Sequence, residues 1–82
     1  MNLDQIIGAV IREERMNRSL SYRQMNIKSK VSLGFLFEVE HGYKQASAHI
    51  LQAIVEKGIN LSLSEFFQRV TDKLATLEEG NK

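Results

Sequence analysis

Apolar residues along this chain recur at intervals of three and four rather than two, proline is absent, and β-branched alternation is scarce, so the pattern is helical throughout. Leu3, Ile6, Ile7, Val10 and Ile11 form one stripe and predict a first helix over residues 4–17, with Asn2 as its cap. Ser21 followed by Gln24 is a capping box for a second helix ending near Ser29. Ser32 caps a third, with Phe35, Leu36 and Val39 turned inward, and Gly42 is placed to end it in the left-handed conformation. Ser47 opens a fourth, with Ile50, Leu51, Ile54 and Val55 inside and Gly58 as its stop. Ser62 with Glu65 is a second capping box, opening a fifth helix with apolar positions Leu63, Phe66, Phe67, Val70, Leu74 and Leu77. The expectation is an all-α chain of five helices with short loops and no repeat. Residues 1–78 would form a single domain and residues 79–82 a frayed tail.

Size and composition narrow the classes open to such a chain. A domain of 82 residues buries only about 60% of the surface its unfolded chain exposes, which leaves little core for a second site. Cysteine is absent, which excludes a disulfide framework and a thiolate zinc site and is compatible with a reducing compartment. The longest apolar run, residues 6–11, is far short of a membrane span of about 20 residues, and Asp4 stands where a signal peptide would carry Lys or Arg. The chain reads as cytoplasmic, with no membrane partner and no cofactor.

The formal net charge is only +1, but the charges are unevenly placed. Residues 15–30 hold Arg15, Arg18, Arg23, Lys28 and Lys30 and nothing acidic, while after Lys44 Glu56, Glu65, Asp72, Glu78 and Glu79 outnumber Lys57, Arg69, Lys73 and Lys82. The basic stretch is either solvated helix surface or part of an anionic-partner face. It overlaps the first half of residues 20–47, where helices two and three are two short helices joined by a tight turn, the layout with which many small proteins enter the DNA major groove.

With the helices placed, residues 20–47 resemble the helix-turn-helix of the Cro- and CI-type phage and bacterial repressors, the xenobiotic-response-element family. The matching elements are Ile11-Arg12-x-x-Arg15, Leu20-Ser21, Val31-Ser32, Leu36-x-x-Val39-Glu40-x-Gly42, Ser47-x-x-x-Leu51-x-x-Ile54 and Leu61 to Phe67, in that order and spacing. The resemblance covers roughly residues 7–67. Within the family, residues 31–40 are most similar to a branch of bacterial regulators of protease genes. It implies a lambda-repressor-like DNA-binding domain and a transcription regulator of double-stranded DNA, located in the cytoplasm with the nucleoid.

The resemblance also assigns roles position by position. Arg15 and Glu40 match a mostly buried ion pair tying helix one to helix three. Tyr22 and Arg23 match positions at the start of helix two that hold backbone phosphates, where amides and helix dipole favour an anion. Ser32, Leu33, Gly34, Phe37 and Glu38 match the groove-facing side of the recognition helix, and His41, Tyr43, Lys44 and Gln45 match its end and the following loop.

Several of these positions depart from the family's habit. Many members read bases with Gln, Asn, Arg or Lys, whose bidentate side chains fit the edges of adenine and guanine, whereas this chain offers Leu33, Gly34 and Phe37. Leu33 and Phe37 can pack on thymine methyls, Gly34 can permit close approach, and Glu38 can accept from a cytosine amino group. Phe37 is open to three readings: a DNA contact, a partner-protein contact, or a helix three packed differently. Apolar Ile27 on the exposed side of helix two favours the partner reading. Lys30 stands where Gly is common, implying a strained backbone, and Asn26 stands where Ala is common and needs a polar partner.

Other chemistry finds little support. His41 and His49 lie across a helix break with no Cys to complete a metal set. Glu13-Glu14 and Glu78-Glu79 are adjacent pairs that diverge on a helix and read as solvated surface, and most serines sit at helix starts, where capping explains them. No enzyme is indicated. Leu63, Val70 and Leu77 are spaced by seven with Phe67 and Leu74 between them, so the fifth helix (residues 63–78) reads as a short homodimer seam through Phe67, Val70, Leu74 and Leu77. The competing reading folds that helix wholly onto its own domain. Two functions remain: a dimeric regulator, acting as a repressor on a pseudo-palindromic operator, and a protein-interaction module such as an antitoxin or regulator partner, with Leu33, Phe37 and Ile27 as its contact.

Overall fold

The computed structural model describes residues 2–80. Its helices are α1 (Leu3–Asn17), α2 (Tyr22–Ser29), α3 (Leu33–Glu40), α4 (Ala48–Gln52) and α5 (Leu63–Gly80), and α4 passes directly into a π-helical segment, Ala53–Gly58. Among the described residues there is no strand. The caps lie where local chemistry puts them: Asn2 with Gln5 and Ser21 with Gln24 each exchange both capping hydrogen bonds. The Ser32, Ser47 and Ser62 hydroxyls accept from the amides of Phe35, Ile50 and Glu65. The Ser62 box is only half closed, because the Glu65 carboxylate turns towards Arg69.

Ile6, Val10 and Ile11 of α1, Met25 of α2, Leu36 and Val39 of α3, Ile54 and Val55 of the π segment, and Phe66 and Val70 of α5 converge on one core. Val31, Ile59 and Leu61, which lie between helices, are buried with them. α1 crosses α3 at Gly8, where a Cβ atom would stand 2.3 Å from the Val39 carbonyl oxygen. Only a residue without a side chain lets the two backbones meet there, and that contact places the last turns of α1 beside Glu40. Leu3, one turn before the crossing, stays exposed at the open end of its stripe.

Three sequence expectations change here. The fourth helix does not continue as α-helix to Gly58: its last six residues widen to i→i+5 bonding, with the Ile59 amide donating to the Ile54 carbonyl at 3.0 Å. Gly58 has Met25 Cε 3.0 Å from its would-be Cβ, so this segment lies directly on α2. Glu79 and Gly80, placed in a frayed tail, continue α5, and residues 81–82 lie outside the described residues. Glu14, read as solvated surface, is buried: its carboxylate takes Arg18 Nη1 at 2.9 Å and lies 3.5 Å from Arg69 Nε, which joins α1 to α5.

The α2–α3 turn carries the strain its sequence implies. Lys30 adopts φ 64°, ψ 18°, the left-handed conformation that Gly takes freely, and its amide donates to Asn26 O at 2.7 Å. The Asn26 side-chain amide donates to Val31 O at 2.8 Å, so its polar group is satisfied and α2 and α3 stay in contact.

Candidate nucleic-acid interface

The site is built on Glu40, the last residue of α3, whose side chain is 0% exposed. A buried carboxylate is tolerated only where its charge is matched and its oxygens are hydrogen-bonded. Arg15 supplies Nε to Oε2 at 2.6 Å and Nη2 to Oε1 at 3.1 Å, a bidentate fork, while its Nη1 donates to Leu20 O at 2.8 Å. The Tyr22 hydroxyl donates to the same Oε1 at 2.8 Å, and its ring lies under the guanidinium, 4.2 Å from Cζ to centroid. One side chain from each of the first three helices therefore meets at one point.

These contacts set the titration of the group. Its hydrogen bonds to Glu40 hold the Arg15 pKa above its ordinary value, against the opposing effect of burial. Burial, followed by the hydrogen bond to Glu40, pushes the Tyr22 hydroxyl up. Tyr22 thus departs from the phosphate-holding expectation: its hydroxyl is committed to Glu40 and its ring to Arg15, so only its backbone amide remains for an anion. The capping box engages the amides of Ser21 and Gln24, leaving those of Tyr22 and Arg23 without an intrahelical partner at the start of α2. The Arg23 side chain is exposed with no intramolecular partner among the described residues.

On the outer side of α3, Ser32, Leu33, Gly34 and Phe37 are exposed, and Glu38 is half-buried with no ion-pair partner among the described residues. A Cβ built on Gly34 would meet nothing within 4 Å. Phe37, 45% exposed, does not stand alone: its ring stacks on His41 with centroids 4.0 Å apart and planes inclined 26°. Tyr22 lies 6.1 Å from Phe37 on one side, and Tyr43 lies 5.7 Å from His41 on the other. His41 Nδ1 is held 2.9 Å from the Phe37 carbonyl, which orients the imidazole.

α3 closes in a Schellman motif, Tyr43 N–H donating to Glu38 O at 2.8 Å and Gly42 N–H to Val39 O at 3.1 Å, with Gly42 at φ 73°. This places Tyr43, Lys44 and Gln45 exposed just past the helix end. Four of the five predicted reading residues, Ser32, Leu33, Gly34 and Phe37, and three of the four at the helix end, Tyr43, Lys44 and Gln45, are therefore exposed, while Glu38 and His41 are half-buried. Tyr22 belongs partly to the interior.

The predicted seam on α5 divides. Val70 is 5% exposed and packed in the chain's own core, so it offers little surface to a partner. Leu74 is half-buried against the same core, and Phe67 and Leu77 remain exposed. A heptad count and a 3.6-residue core stripe coincide over so short a helix, and the core takes the positions nearest its axis.

No protein-family model matches the chain. It is 32% identical over 74 residues to the transcriptional regulator ClgR of Mycobacterium tuberculosis, an alignment that takes in 90% of this chain and spans 65% of that relative's length. The fold superposes on the clp gene regulator ClgR of Corynebacterium glutamicum with a TM-score of 0.88, at 23% identity, over 99% of this chain and 85% of that one. It also superposes on the restriction-modification controller protein C.Esp1396I, solved as a tetramer with its natural 35 base-pair operator, with a TM-score of 0.85, at 19% identity, over 92% and 97% of the two chains. The fold is thus that of helix-turn-helix regulators, and along nine-tenths of its length the sequence is similar to one of them.

Proposed function

We propose that this chain is a helix-turn-helix transcription regulator that lays α3 in the major groove of double-stranded DNA. The observation that carries the reading is the division of α3 into two faces. Leu36, Val39 and Glu40 are buried and braced by Arg15 and Tyr22, while Ser32, Leu33, Gly34 and Phe37 are exposed. The α2 amides without an intrahelical partner and the exposed Arg23, Lys44 and Gln45 suit phosphate contacts, and Glu38 suits a cytosine amino group. His41 and Tyr43 line the edge of the same face.

In this reading residues 1–78 act as one DNA-binding domain in the cytoplasm, at the nucleoid. A second copy docks through Phe67, Leu74 and Leu77 of α5, and the dimer represses from a pseudo-palindrome with half-sites about 34 Å apart. The test is selection from a random duplex library, followed by affinity against salt. Log affinity should fall linearly with log salt through counterion release, and replacing Arg23 and Lys44 should flatten the slope. A library that returns nothing above background at low salt refutes the reading. The exposure of Ile27, Leu33, Phe37 and Tyr43 then favours the second one, a protein-interaction module on the same fold.

A further inference from the structure

The outer face of α3 lacks any side chain able to hold a purine edge with two hydrogen bonds, yet its apolar groups are arranged rather than scattered. Leu33 and Phe37 lie one turn apart on the same face, 44% and 45% exposed. Between them Gly34 opens a notch that the fold does not require, since a side chain there would touch nothing. Gly weakens a helix relative to Ala, so its presence in open space, beside two exposed apolar groups, marks a place where something else comes close.

Phe37 is held before any ligand arrives. Its ring rests on His41 at 4.0 Å, His41 is anchored to the Phe37 carbonyl, and Tyr22, fixed by Glu40, stands on the other side. A side chain already ordered loses little freedom when it is covered, so apolar contact made there appears as affinity. In the major groove the apolar group that differs between bases is the C5 methyl of thymine.

We infer that the Leu33–Gly34–Phe37 face is a methyl reader, which selects its half-site chiefly by thymine C5 methyl groups received in the Gly34 notch and covered by Phe37. This rests on the DNA-binding reading above and specifies what that surface recognises. His41 and Tyr22 are positioning residues, acting through the Phe37 ring.

The test uses duplexes selected from a random library with the full chain, in which each thymine of a half-site is replaced in turn by deoxyuridine. That change removes the methyl and leaves the hydrogen-bonding edge intact. At one or more positions affinity should fall about fourfold, the effect of one methyl group returned to water. In Phe37→Ala the same replacement should no longer matter, and Phe37→Leu should restore part of the difference. Gly34→Ala should leave the melting temperature unchanged or higher while weakening binding to the thymine duplex, a pair of effects that a merely structural glycine would not produce. Selected half-sites without thymine, or ones indifferent to deoxyuridine, overturn the inference and leave DNA binding standing. A selection that returns no duplex overturns both.

Discussion

Replacing Arg15 by Met tests the central brace most directly. The Glu40 carboxylate has no exposed side-chain surface and accepts three hydrogen bonds, two of them from Arg15. Arg15→Met leaves a buried charge with the Tyr22 hydroxyl alone, and stranding one member of such a pair costs about 3–5 kcal/mol. A domain of 82 residues has roughly 4–12 kcal/mol of stability in all, at about 0.05–0.15 kcal/mol per residue, so the variant should be near its folding limit. Glu40→Gln should lose about 2–3 kcal/mol: the amide oxygen can still accept from Tyr22, but Arg15 loses its charged partner. The double variant should lose little more than Arg15→Met alone, because both changes remove the same interaction, giving a coupling of at least about 2 kcal/mol. Urea unfolding followed by circular dichroism on all four proteins yields the cycle. Losses that add to within about 0.5 kcal/mol would mean that Arg15 and Glu40 act independently, and the brace would be refuted.

Three further outcomes follow from the geometry. Gly8→Ala puts a methyl 2.3 Å from a backbone oxygen, so α1 must shift off α3, at about 3 kcal/mol in the same unfolding assay; unchanged stability would contradict the close crossing. Tyr22 keeps its proton to higher pH folded than unfolded, so its contribution to stability is intact below its ordinary value of 10.0 and is lost as pH rises through the folded value. Tyr22→Phe should flatten that alkaline decline in melting temperature, and an unaltered alkaline limb would show that another group causes it. Phe67→Ser with Leu77→Ser should leave the fold intact and yield a monomer in equilibrium sedimentation, whereas Val70→Ser should lower stability by about 2 kcal/mol; a dimer persisting in the first variant removes α5 from the interface.

The parts of the fold legible in the sequence are those whose cause is local. Asn2, Ser21, Ser32 and Ser47 cap because a short hydroxyl or amide reaches an amide three residues on, and the stripe of α1 buries Ile6, Val10 and Ile11 by the period of the helix itself. Gly42 ends α3 for a reason equally local, its positive φ. What depended on distant residues was not legible. Glu14 resembles its neighbour Glu13 until α5 brings Arg69 beside it, 55 positions away in the chain. Ile59 and Leu61 lie outside any periodic segment yet are buried in the core, their amides donating back to Ile54 O and Val55 O of the π segment. The Tyr22 hydroxyl is claimed by Glu40, 18 residues on, before a phosphate can use it. Val70 fits a heptad and a core stripe equally well, and only the packing of α5 onto the rest of the core decides between them.

The brace at Glu40 also bears on how such a chain can change over generations. Arg15, Tyr22 and Glu40 set the attitude of α3 from its inner side, and none of them lies among Ser32, Leu33, Gly34 and Phe37 on the outer side. Substitutions on that outer face alter few contacts within the fold, so the site preference can drift while the frame stays put. On the proposed reading, exchanging Leu33, Gly34 and Phe37 should change the target at little folding cost, whereas Ser32 must stay a capping residue because its hydroxyl accepts from the Phe35 amide. If the proposed function holds, two copies of such a gene diverge to separate DNA sites through a handful of surface changes.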